Sequence, residues 1–325
     1  MQIERLSNIM WNDRLSLTAS EGYLSSYSTD YGWLSDKNTG LFLPFYIRRR
    51  VLFSQLIFTD SIDSFVEGYA GSREEKLAFL QACVQHAKEK LKIDSINQPP
   101  TYAVFEIVPT GSIFVPFGSY RIDLSQSVED LWKNVHSKHR NVIRKAEKSG
   151  VLVKSGIEYL NPAAELVSAT LQRANLKSSF TRSLSEKLRG HITAYICEYN
   201  GELQGSGIFL FSRKSVLHLW AGSIPAPFSG AINYMVWKAI QDFKKMGISC
   251  YDFVGARINP VPGSKLEGIQ RFKSRFGVSL YRGYLWKYPL SWKCRYFDIL
   301  KRGYYKLKRR KNDDVIDQEL KLQRK

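Results

Sequence analysis

Among its 325 residues the chain has only four cysteines, Cys83, Cys197, Cys250 and Cys294, and no two stand at CxxC spacing. A disulfide framework and a structural zinc site are therefore not expected. The five histidines include no HExxH pair. His136 and His139 are three apart but sit inside a Lys/Arg run, whose charge opposes a metal cation. No run approaches the ~20 apolar residues of a membrane span, and the opening MQIERLSNIMWNDRL lacks the apolar segment of a secretory signal. These absences lead us to expect a cytoplasmic protein in a reducing compartment, at most peripheral at the inner face of the membrane. Acid is also scarce, with 30 Asp/Glu against 48 Lys/Arg, for a net charge of +18.

That charge is unevenly spread. Residues 281–325 hold 14 Lys/Arg and 5 Asp/Glu (+9), and residues 131–154 hold 7 and 1 (+6). Two short stretches thus carry +15 of the +18, a field suited to an extended polyanion such as RNA, anionic headgroups or a nucleotide diphosphate. In the tail, Trp292, Tyr296, Phe297 and Leu300 share a helical face ringed by cations, as in interfacial helices or RNA-binding surfaces.

Hydrophobic periodicity predicts an amphipathic helix over 1–20 and strands over 41–46 and 51–58, with Arg48, Arg49 and Arg50 as the hairpin turn between them. A helix over 73–92 and a strand over 102–108 follow. After a strand at 121–124, acids in a first turn open one long basic helix, 128–149, stopped by Gly150. The pattern then restarts: a strand (151–153), two helices, two strands joined at Asn200-Gly201, a third strand (216–221), a helix (232–246) and a strand (251–254). Helix, helix, three-stranded meander, helix, strand is the order of a Gcn5-type N-acyltransferase fold, and residues 20–125 give a looser version. The expected fold is α/β, with two tandem domains of this type built on mixed central sheets. Their expected extents are 1–150, completed by 285–325, and 151–284.

The stretch with the most chemistry is YDFVGARINPVPGSKLEGIQRFKSRFG, 251–277. A strand ends in Asp252, Gly255 frees the backbone, a Pro-rich loop follows, and a helical turn returns Phe272 and Lys273. A strand end, a loop and a returning cation suit an anionic or carbonyl-bearing substrate.

Several of these segments together resemble the Fem-type peptidyltransferases, which build peptidoglycan interpeptide bridges, and their relatives in surface-polysaccharide clusters. The resemblance rests on Tyr31-Gly32-Trp33, HRNVIRKAEKSGV, LHLWAGS, INYMVWKAIQDFKKMG, and YDFVGA followed by GIQRFKSRFG. It covers most of residues 20–285 and is similar to the compact form without a coiled-coil arm. It implies transfer of an activated acyl group to an amine, without a bound cofactor. The donor in bridge-building members is aminoacyl-tRNA, and the acceptor is a lipid- or nucleotide-linked precursor.

The family's Phe-Lys pair falls on Phe272 and Lys273, the lysine stabilising charge on the carbonyl oxygen. Lys37, after the motif holding Trp33, and Arg182 align with precursor-phosphate contacts. Glu106 aligns with a strand-end acid, although this chain reads Glu-Ile-Val-Pro where the bridge-builders have Asp-Pro. His218 and Trp220 take the place of an aromatic pair, and a histidine where the family tends to have tyrosine suggests a changed acceptor. Arg140, Arg144 and Lys145 of the basic segment are candidates for phosphate or nucleic acid. Removal of the amine proton needs a base within reach, and His218, Glu106 and Asp252 all remain candidates. The turn GSIPAPFSGA puts Pro225 and Pro227 where an acyl-CoA enzyme wants backbone N–H donors. That turn favours aminoacyl-tRNA over acyl-CoA as co-substrate.

Overall fold

The computed structural model describes all residues except 52, 177, 295–313 and 324–325. In chain order the elements are β1 (Ile3–Leu6), α1 (Glu21–Ser25), β2 (Tyr31–Asp36), β3 (Leu41–Arg50), β4 (Phe53–Phe58), β5 (Asp63–Ser64), α2 (Arg73–Glu89), β6 (Ser95–Ile96) and β7 (Ile113–Asp123). Then come α3 (Val128–Asn134), α4 (Ser137–Lys148), β8 (Leu152–Gly156), α5 (Leu160–Gln172), α6 (Arg182–Lys187), β9 (Ile192–Tyr199), β10 (Glu202–Phe211) and β11 (Val216–Ser223). Last are α7 (Ala231–Lys245), β12 (Cys250–Asp252), β13 (Ala256–Arg257), α8 (Lys265–Ser274), β14 (Ser279–Pro289) and α9 (Val315–Gln323).

Two compact units divide the chain. The first is Met1–Trp11, Thr18–Gly118 and Arg282–Lys325; the second is Asn12–Leu17 and Ser119–Tyr281. The first unit's strands run β1-β2-β3-β4-β6-β14. All neighbours there are antiparallel except β4 and β6, which pair in parallel through Leu56↔Ile96. The second unit's strands run β7 (from Ser119 onward)-β12-β11-β10-β9-β8, again antiparallel except for β11 and β12. In each unit one helix, α2 or α7, bridges the parallel pair, because parallel neighbours need a crossover. The two units are thus variations on a single mixed-sheet pattern.

The first core packs α2 through Phe79, Leu80 and Cys83 with Leu43, Phe45, Leu56, Phe58 and Trp286. A capping box starts α2: Ser72 Oγ accepts from Glu75 N, and the Glu75 carboxylate accepts from Ser72 N. The second core packs α7, through Met235, Trp237, Ile240 and Phe243, with Tyr195, Phe209, Tyr251 and Phe276. Gly230, the residue before α7, has φ +90°, and a β-carbon there would stand 2.1 Å from the Val142 carbonyl oxygen of α4.

Several elements differ from expectation. The opening segment is the strand β1, because Ile3–Leu6 pairs with Trp33–Asp36. Arg48, Arg49 and Arg50 lie within β3 opposite Gln55, Ser54 and Phe53, so the hairpin reverses after them. Residues 102–108 make a single bridge, Phe105↔Tyr284, rather than a strand. The basic rod is two helices. Val135 is extended and His136 caps α4, its Nδ1 accepting from Lys138 N. The expected boundary at 150 falls inside the second unit, since Ile122, Leu131, Ile143 and Ala146 are buried in that unit's core. Of the tail face, Trp292 is exposed, while Tyr296, Phe297 and Leu300 lie outside the described residues. Among the described residues no helix is long and apolar enough to cross a membrane, and no His/Cys/Asp/Glu group is placed to hold a metal.

Candidate functional site

The parallel joint of the second sheet is short. β11 pairs with β12 only at Val216↔Tyr251 and Leu217↔Asp252, although β11 continues to Ser223. Beyond Asp252 the chain turns through two left-handed residues, Val254 (φ +48°) and Gly255 (φ +57°). Glycine adopts this region freely, whereas for a β-branched residue it is a strained exception. The strain is held by Asp252, whose Oδ1 accepts from Val254 N at 2.7 Å. The turn aims the carbonyls of Val254 and Gly255 at Lys273, whose Nζ donates to them at 2.5 and 3.2 Å.

Lys273 is carried by α8, which is capped by Ser264 Oγ accepting from Glu267 N. The helix is seated by Phe272 and Phe276, whose rings meet His139 at 5.3 and 4.8 Å, while His139 Nε2 lies 3.0 Å from the Phe272 carbonyl. Phe272 is therefore part of the packing that positions Lys273. Burial pushes the Lys273 ammonium down to about 8, with the Asp252 charge opposing the shift. At neutral pH it stays mostly charged, and two of its three N–H groups go to the two carbonyls. The third can serve a developing oxyanion.

Asp252 is 2% exposed and fully engaged. Its Oδ2 accepts from Arg121 Nε at 2.9 Å, and its Oδ1 from the Ser119 hydroxyl and Val254 N. The Arg121 guanidinium lies over the Tyr281 ring at 4.0 Å. With every oxygen occupied, Asp252 serves to organise the turn.

A bulge decides where His218 and Trp220 point. The β10–β11 register runs Phe209↔His218 and then Ile208↔Trp220, so Leu219 is the extra residue and the two side chains leave on opposite faces. Trp220 goes to the α5 side, where its Nε1 donates to Ser179 Oγ at 3.0 Å and its ring meets Phe180. His218 enters the α7 side and stacks on Phe209 at 4.4 Å, with Nδ1 3.0 Å from the Tyr251 hydroxyl. Its Nε2 has no partner among the described residues and lies where a β-carbon on Gly207 would be 2.9 Å away. Burial, then the Lys273 charge, pushes the imidazole down to about 3. It is neutral throughout the physiological range.

The other candidates lie elsewhere. Arg182 is exposed and pairs with Glu186 one turn along α6. Arg140 donates to the carbonyls of Lys133 and Val135 at 2.7 and 2.6 Å, closing the end of α3. Arg144 sits over Trp132 and Lys145 over Phe228, both on the exposed side of α4. In the first unit Trp33 is 0% exposed, its Nε1 donating to the Ala19 carbonyl, so it offers a substrate no surface. Lys37 is half-exposed and pairs with Glu4 at 3.1 Å; Glu106 is exposed and pairs with Lys76 at 2.5 Å. Sequence reasoning passed over Arg121, Ser119 and Tyr251. The only signal was the alternation Ser119-x-Arg121 on one face of β7, whose partner strand is invisible locally.

Residues 133–274 match a family model described as "Acetyltransferase (GNAT) domain". No curated protein sequence matches the chain. Among solved structures it is similar to FemX, at 14% identity and a TM-score of 0.63, over 88% of this chain and 97% of that one. It is also similar to the C-terminal domain of a putative lysylphosphatidylglycerol synthetase from Agrobacterium fabrum (11% identity, TM-score 0.53, 85% and 89% covered). L-PGS from Bacillus licheniformis stands at the same level (13%, TM-score 0.53, 82% and 86% covered). The chain shares the fold of FemX, and within the second unit residues 133–274 are similar to a GNAT acetyltransferase domain.

Proposed function

We propose that the protein transfers an aminoacyl group from aminoacyl-tRNA to an amine of a cell-wall or surface-polysaccharide precursor. The observation that carries this reading is the Lys273 ammonium, held on the Val254 and Gly255 carbonyls where β11 and β12 part. A neutral acceptor amine attacks the ester carbonyl, forming a C–N bond. The oxyanion that develops takes the free Lys273 N–H, the C–O bond to the ribose breaks, and the amine proton ends on the departing hydroxyl. The exposed cations Lys138, Arg144, Lys145 and Lys148 of α4 suit the polyanionic donor. Asp252 and His218 are poor bases here, the first because its oxygens are occupied and the second because its basicity is suppressed. The neighbours' names, FemX and lysylphosphatidylglycerol synthetase, agree with aminoacyl transfer.

The test is transfer of label from a mixed pool of charged tRNA to lipid- and nucleotide-linked precursors. Lys273→Met should lower kcat on the order of a hundredfold. Because the charged form is the active one, wild-type activity should fall as pH rises through about 8. A protein that moves label from acyl-CoA and ignores charged tRNA refutes the proposal. That outcome is the second reading, an acyl-CoA-dependent N-acyltransferase of an amino sugar, favoured by the acetyltransferase description of residues 133–274. Its signature would be tight CoA binding by calorimetry.

A further inference from the structure

Lys273 is not placed by its own helix alone. Its two carbonyl partners belong to Val254 and Gly255, and the left-handed path there exists because Asp252 takes the Val254 N–H. A carboxylate 2% exposed needs partners for its charge. These come from β7: Arg121, directly opposite Asp252 in the antiparallel register, and Ser119, two residues earlier on the same face. Tyr281 closes the series by lying under the guanidinium.

We propose that Arg121 is a positioning residue for the acyl-transfer centre. Stacked on Tyr281 and paired with Asp252, it fixes the Val254–Gly255 turn and thereby the place and the charge of the Lys273 ammonium. The inference rests on the reading of Lys273 given above. Arginine suits the role because its planar fork bonds the carboxylate edge-on while its face stacks on the ring, and lysine can do only the first. The groups facing Lys273 are Asp252 at the end of β12 and His218 on β11; behind Asp252 stand Arg121, Cys250 and Tyr281. Of these, His218 is neutral, and burial pushes Cys250 up to about 11. The Asp252–Arg121 balance therefore governs the field at Lys273. Removing the guanidinium leaves Asp252 uncompensated and loosens the turn. Both effects move the Lys273 titration upward, towards that of a free lysine.

The experiment measures the titration of Lys273 by competitive acetic anhydride labelling across pH, read by mass spectrometry, in wild type, Arg121→Gln, Arg121→Lys and Tyr281→Leu. The expected midpoint rises by about one unit in Arg121→Gln and by less in Arg121→Lys. In the transfer assay Arg121→Gln should lower kcat about tenfold or more with KM within about twofold, and Arg121→Lys should recover part of the loss. If Arg121→Gln does not fold, Tyr281→Leu tests the same support more gently and should raise the midpoint in the same direction. An unchanged midpoint in a folded variant overturns the inference. The labelling needs no substrate, so it stands or falls separately from the identity of the reaction.

Discussion

His218 shows how one residue's surroundings set its chemistry. With a folded value near 3 against about 6.5 when unfolded, its contribution to stability is full above pH 6.5 and is lost as pH falls towards 3. The loss at the acid end is roughly 3–5 kcal/mol. His218→Phe fills the same stacked site without a titrating nitrogen. Thermal melts from pH 7 to 4 should show a clearly shallower acid slope for that variant than for wild type. Parallel slopes would mean that the imidazole is not buried as described. The same burial separates His218 from Lys273, whose lowered but still near-neutral titration leaves it charged when the site works.

At the scale of elements, the contact of α4 with α7 is a joint that leaves no room for a small change. Gly230 has φ +90° and faces the Val142 carbonyl oxygen with no room for a β-carbon. Gly230→Ala should cost about 2–4 kcal/mol, because strain and overlap coincide. Gly201 in the β9–β10 hairpin is a fair control, with φ +78° but nothing within 4 Å of its would-be β-carbon. Gly201→Ala should cost only about 1 kcal/mol. Urea unfolding of both variants checks the contrast, and equal losses would show that the close approach to α4 carries no energy. The break between α3 and α4 belongs to the same scale. Arg140 turns its Nη1 to the carbonyls at the break, so a cation that looks free in the sequence has a structural role.

For the whole molecule, the charge of +18 leads to a quantitative expectation. Lys138, Lys145 and Lys148 are exposed on α4, whereas Arg140 is committed to α3. If the proposed tRNA donor is the one used, the triple variant Lys138→Gln, Lys145→Gln, Lys148→Gln should bind labelled tRNA more weakly and flatten the log–log salt slope by about 2. Arg140→Gln should lower the melting temperature and leave that slope nearly unchanged. Fluorescence anisotropy across a salt series separates the two. An unaltered slope in the triple variant would count against α4 as the contact surface for the proposed donor.

Patterns that act over a few residues were legible in the chain itself. Asn200-Gly201 takes the positive φ values (+52° and +78°) a tight hairpin requires, and helices α2 and α7 lie close to where their apolar spacing puts them. The repeated helix–meander–helix–strand order was readable for the same reason. Other features had no local signal. β1 is a strand only because β2 offers it an edge, and Arg48–Arg50 stay extended because β4 pairs with them. Leu219 became a bulge through register with β10, which sent His218 and Trp220 to opposite faces. The carboxylate at 252 reads as a candidate base until Arg121 arrives from 131 positions away. Spacing along a chain states which face of an element is apolar. Which strand lies beside it, and so which charge is neutralised and which nitrogen is buried, is decided only when distant segments pair.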